Sequence, residues 1–122
     1  MKQAIAVLIL LAILAALIVW NALYINKVAN DMTALLDALP DVDDPACPKA
    51  AAALREAWMR RLPAVDLTVS FLYTDRICEQ SALLICCAET GDRYGFASAK
   101  ALLADAFHDM CHAETWNSAA LF

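Results

Sequence analysis

The sequence predicts an all-α protein: an N-terminal transmembrane helix extended beyond the membrane, followed by a small three-helix bundle or helical-hairpin stack. Three observations predict this. Residues 4–20, AIAVLILLAILAALIVW, are apolar without interruption. The chain has only two glycines, Gly91 and Gly95, and its four prolines, Pro40, Pro45, Pro48 and Pro63, fall where helices would start or stop. No period-two run of β-branched residues stands between turn dipeptides, so strands have little signal.

The anchor is the strongest element. Past Asn21 the apolar run resumes through Ile25 without a charge, and residues 4–25 make about 33 Å of helix against a hydrocarbon core of about 30 Å. A cleaved secretory signal has an apolar centre of only about 7–15 residues, closed by a small-x-small site. Here Trp20 and Lys27 stand two before Ala22 and Ala29, and no cysteine precedes Cys47 to accept a lipid. Residues 1–25 therefore read as an uncleaved transmembrane anchor. Lys2 and the α-amino group precede the span, while Lys27 and a series of aspartates follow it. The positive-inside rule then favours a cytoplasmic N-terminus and an extracytoplasmic remainder.

Composition agrees with a chain partly removed from water, at 62% hydrophobic and 19% charged residues. Beyond residue 27 lie seven of the nine basic residues and all fourteen acidic ones, a net charge of −7 with neutral histidines. Such a surface repels nucleic acid and anionic lipid, so neither is expected as a partner.

No breaker interrupts the first helix before Pro40, and residues 26–39 read as its continuation outside the membrane. Ile25, Val28, Met32, Leu35 and Leu39 recur at spacings of three, four, three and four, one apolar seam on a helix. About two heptads are too few for an independent coiled coil. The seam is expected to pack on the protein's own later helices. The alternative makes Val28, Met32, Leu35 and Leu39 the interaction residues for a partner helix or a second copy of the chain.

Residues 45–122 read as the helical exterior domain. Asp43 or Asp44 can cap a helix whose first turn takes Pro45 or Pro48, and Cys47, Ala51, Leu54, Trp58 and Leu62 line one of its faces. Trp58 lies on that stripe and reads as a core residue. After Pro63 a long segment carries Val65, Val69, Leu72, Ile77, Leu83, Leu84 and Cys87 at mostly helical spacings. Gly91 supplies its left-handed terminus, and Asp92 caps the next helix. In that last helix Phe96, Ala99, Leu103, Ala106 and Met110 form a second seam.

Five cysteines in an oxidising compartment would suggest disulfides, but the count is odd and no C-x-x-C spacing occurs. On a helix Cys78 and Cys86 are about 12 Å apart along the axis, and adjacent Cys86 and Cys87 point about 100° apart. Buried thiols are the favoured reading. Cys47 with Cys111 is the one inter-helix pair worth testing.

FHDMCHAETW, residues 107–116, holds both histidines. At a spacing of four, His108 and His112 share a helix face; Asp105 lies three before the first, and Cys111 stands at the edge of that face. This set could hold Zn²⁺. The known two-histidine helical motif, however, puts glutamate directly after the first histidine, where this chain has Asp109. The favoured reading is a solvated face, with Phe107 and Met110 continuing the core seam. No phosphate-binding loop, nucleophile elbow or Ser, His and Asp set occurs, and Glu56 with Arg60 reads as a surface pair. No cofactor is expected.

The anchor, Trp58, DRICE at residues 75–79, GD at 91–92 and the terminal ETWNSAALF together resemble a bacterial membrane-anchored family, domain-of-unknown-function family four-three-six-three. The resemblance covers nearly the full length. It departs at Tyr73-Thr74, near which the family often carries a histidine. The resemblance implies a non-enzymatic accessory protein of the cell envelope, associated largely with spore-forming bacteria, and supplies no catalytic residues. The expected function is a single-pass interaction module for another membrane or envelope protein. One alternative is a small metal- or thiol-dependent envelope enzyme centred on His108, Cys111 and His112; the other is a self-associating structural membrane protein.

Overall fold

The structure, a computed structural model, describes the backbone of residues 1–121 and the side chains of residues 1–113. Among the described residues the chain forms four helices and no strand: α1 (Lys2–Asp37), α2 (Cys47–Val65), α3 (Phe71–Thr90) and α4 (Arg93–Leu121). Successive helices are joined by short connections, so neighbours run antiparallel. Each helix packs against the next, and α4 closes the ring on α1; among the described residues no backbone approach joins α1 to α3 or α2 to α4. This is an up-down-up-down arrangement in which the fourth wall is the C-terminal half of the long first helix.

The two halves of α1 differ sharply. Its N-terminal half is long and apolar enough to cross a membrane and is bare of protein contacts throughout its most apolar stretch. In the second half Ile25, Val28, Ala29, Met32 and Leu36 are buried in the same core as residues of α2, α3 and α4. Residues of the 26–39 segment therefore share one core with the helices that follow.

The seam on α1 needs one correction. Leu36 is fully buried and Leu35 is 42% exposed, so the apolar stripe steps from Met32 to Leu36 rather than to Leu35. Spacings of three and four are both compatible with a helix face. The choice follows from where α2 and α4 lie, which the sequence of α1 alone does not contain.

Helix ends follow local chemistry. Asp44 Oδ1 accepts from the Ala46 N–H at 2.8 Å, an Asx-type turn that leads directly into Cys47, and Pro48 sits in the first turn of α2. Pro63 does not end α2, which runs on to Val65. It occupies an exposed position in the last turn, where water can meet the carbonyl left without its helical donor. Val65 ends α2 and Val69 lies in the connection that follows, its N–H reaching back to the Val65 carbonyl at 2.9 Å. Ser70 then caps α3, its hydroxyl accepting from the Leu72 N–H at 3.3 Å. Leu72 and Leu83 point to solvent, whereas Ile77, Leu84 and Cys87 face the core.

Gly91 closes α3 with φ 71°, and the Asp92 N–H bonds the Cys87 carbonyl at 3.0 Å. Asp92 caps α4, accepting from the Gly95 N–H at 3.0 Å. Gly95 is required by proximity: a Cβ there would stand 2.5 Å from Asp92 Oδ2 and 2.6 Å from Cys87 Sγ. The seam from Phe96 through Ala99, Leu103, Ala106 and Met110 is buried as its spacing predicts, and Phe107 joins it.

Candidate functional site

Three places could carry chemistry or recognition: the histidine face of α4, the buried thiols, and the junction where α1 leaves its apolar half.

On α4, Phe107 and Met110 take the inward positions, which turns His108 and His112 outward. The two imidazoles lie nearly parallel, with ring centroids 6.1 Å apart and planes at 13°. The other members of the sequence-derived set are directed elsewhere. Cys111 donates its thiol proton to Asn26 Oδ1 on α1 at 2.9 Å. Asp109 pairs with Arg76 of α3 at 3.1 Å, and Asp105 is exposed. Among the described residues no three His, Cys, Asp or Glu side chains converge to hold a metal ion. The helical spacing of His108 and His112 was legible; the engagement of Cys111 by α1 was not.

None of the five cysteines forms a disulfide. Cys47 and Cys87 are buried, and for both burial is the main cause that pushes the thiol pKa up. Asp44 and Asp41 add to it at Cys47, and Asp92 adds to it at Cys87. Raised values keep the thiols protonated, the opposite of what a nucleophile requires. Cys78 accepts the indole N–H of Trp58 at 3.4 Å. These are packing and hydrogen-bonding roles.

Of the sequence-derived interaction residues, Val28 and Met32 lie inside the protein's own core, and Leu39 packs against it. A partner helix cannot reach Val28 or Met32 without displacing α2 or α4. Leu35 is the residue of that set with substantial exposure.

The junction was missed by the sequence reasoning. Asn21 is the one amide within the apolar run 4–25, and its Oδ1 accepts a hydrogen bond from Thr68 Oγ1, in the α2–α3 connection, at 3.1 Å. Around this bond Trp20, Asn21, Tyr24, Ala64, Leu67 and Thr68 line an open, mainly apolar cleft of about 270 Å³. The available signal was Asn21 itself, since a polar group set in an apolar stretch calls for a partner.

No protein-family model matches the chain, and no curated protein or solved structure gives a significant match. The family resemblance therefore rests on the residue pattern alone, and part of that pattern, ETWNSAALF at 114–122, lies outside the described side chains.

Proposed function

We propose that this chain is a single-pass membrane-anchored accessory module that presents a rigid, acidic helical bundle to another membrane or envelope protein, without catalysis. The observation that carries this reading is the division of α1. One half is bare and apolar, while the other supplies Ile25, Val28, Ala29, Met32 and Leu36 to the bundle core. A helix shared in this way fixes the height and rotation of the bundle relative to the bilayer, which a flexible tether does not. Rigid presentation lowers the ordering cost of binding and suits an interaction module.

A cytoplasmic N-terminus is supported by Lys2 and the α-amino group before the span, against Lys27 alone close behind it. The assignment to a bacterial envelope follows from the sequence resemblance.

Affinity capture of the full-length chain from native membranes tests the proposal. The expected result is a discrete membrane or envelope partner retained by the wild type and by a His108→Ala/His112→Ala variant. Turnover of a hydrolase substrate by the purified protein, or a need for metal to fold, would overturn it.

A further inference from the structure

The end of the bundle nearest the apolar half of α1 exposes large apolar side chains. In the α2–α3 connection and the first turn of α3, Leu67 is 83% exposed, Phe71 68% and Leu72 71%. On α1 at the same level Trp20 is 69% exposed. Exposed leucines taken singly need no explanation, but these are contiguous with the bare surface of the anchor.

Their height is fixed by the Thr68–Asn21 hydrogen bond. A hydrocarbon core of about 30 Å takes about 20 residues of helix. Counted from Ala4, that length ends near Leu23, beyond Asn21. A side chain bonded to Asn21 therefore lies at or just inside the hydrocarbon boundary, and Leu67 is its chain neighbour. Trp20 and Tyr24 are the aromatic types that favour this depth.

We infer that the α2–α3 connection is a second membrane contact: Leu67, Phe71 and Leu72 insert into the boundary between headgroups and acyl chains of the bilayer that α1 spans. The inference rests on the anchor reading above. The hydrogen bond from Thr68 gives the Asn21 amide oxygen a partner where water is scarce, and the three apolar side chains enter the lipid on either side of it. Both signs of charge flank this connection along the chain, Arg60, Arg61 and Arg76 as well as Asp66 and Asp75. The contact is therefore apolar, and zwitterionic lipid is sufficient for it. The apolar cleft between Trp20, Tyr24, Ala64 and Leu67 is open at the same depth and fits the upper part of an acyl chain. Two attachments, one spanning and one interfacial, prevent the bundle from tilting away from the surface.

The test is backbone amide NMR of the full-length protein in phosphatidylcholine nanodiscs, with nitroxide-labelled lipid carrying the radical high on the acyl chain. The expected result is strong broadening of Leu67, Thr68, Phe71 and Leu72, comparable to that of Trp20. Gly91 to Tyr94, at the opposite end of the bundle, should keep full intensity. Broadening along α1 from Val7 to Val19 with none at residues 67–72 would overturn the second contact and leave the anchor intact. Absence of broadening on α1 as well would overturn both. A Leu67→Asp/Phe71→Asp/Leu72→Asp variant, altering exposed side chains only, should retain the α1 broadening and lose most of that at 67–72. Unchanged broadening in the variant would also contradict the insertion.

Discussion

Trp58 of α2 and Phe107 of α4 meet edge to face across the centre of the bundle, their ring centroids 5.6 Å apart and their planes at 64°. Their helices are diagonal to each other, so this contact is made by side chains spanning the interior. Both residues are fully buried, and the indole N–H is satisfied by Cys78 Sγ. Phe107→Ala should lower stability by about 3–5 kcal/mol. Trp58→Ala should cost a similar amount, and the double variant less than the sum, because each ring loses part of its packing when the other goes. Denaturant unfolding of the three variants, followed by circular dichroism, measures this.

The seam on α1 separates cleanly at adjacent positions. Met32→Lys places a charge where no side-chain surface is exposed and should unfold the bundle or cost several kcal/mol. Leu35→Lys changes a side chain at the surface and should stay within about 0.5 kcal/mol. Thermal melts distinguish them. Crosslinking of Leu35→Lys in membranes also reads self-association, and a dimer band lost with stability preserved would make Leu35 a contact between copies.

The turn between α3 and α4 carries two glycines with different reasons. Gly91→Ala meets no neighbour but must hold φ near 71°, a strain of roughly 1–2 kcal/mol. Gly95→Ala has an allowed backbone and no room, and should cost about 1–3 kcal/mol by displacing Asp92 and Cys87. Cys87→Ala should recover part of the Gly95→Ala loss and none of the Gly91→Ala loss. Unfolding free energies of the paired variants check the distinction.

Cys47 and Cys87 give the bundle an alkaline sensitivity. Burial holds their folded pKa values above those of the unfolded chain, so above the ordinary thiol value, about 8.5, the folded state binds more protons than the unfolded one. Their contribution is complete below that pH and declines as pH rises toward the folded values. Melting temperature should fall across this window and fall less in a Cys47→Ala/Cys87→Ala variant. In the native protein at neutral pH, a thiol reagent should modify exposed Cys86 well before either buried thiol.

The histidine face should be inert to metal. Both imidazoles are exposed and lack a converging third ligand among the described residues, so His108→Ala/His112→Ala should shift stability by no more than about 0.5 kcal/mol. Zinc titration monitored by calorimetry should show no difference between variant and wild type.

Much of this architecture was legible in the sequence because it is local. Phe96 through Met110 repeats at helical spacing, and Gly91 and Asp92 punctuate two helices by backbone and capping chemistry that depends on near neighbours. What was not legible depends on which surfaces meet. Leu36 rather than Leu35 continues the α1 stripe because α2 and α4 occupy that side. Cys111 leaves the histidine face because Asn26, 85 positions away, offers an acceptor. Pro63 stays within a helix because its position is exposed at the last turn. The Asn21–Thr68 bond joins residues 47 apart, and nothing in either local sequence names the other.

α1 is one unbroken helix from Lys2 to Asp37, and in the proposed membrane-anchored state lipid covers its first half and the bundle its second. Residue-resolved hydrogen exchange on the full-length protein in nanodiscs tests this most directly. Slow exchange is expected to run without a gap from Val7 through Leu36, including Trp20 to Lys27 where the covering changes from lipid to protein. Rapid exchange between Trp20 and Lys27, marking a hinge, or solvent-like exchange from Val7 to Val19, marking an uncovered first half, would contradict it.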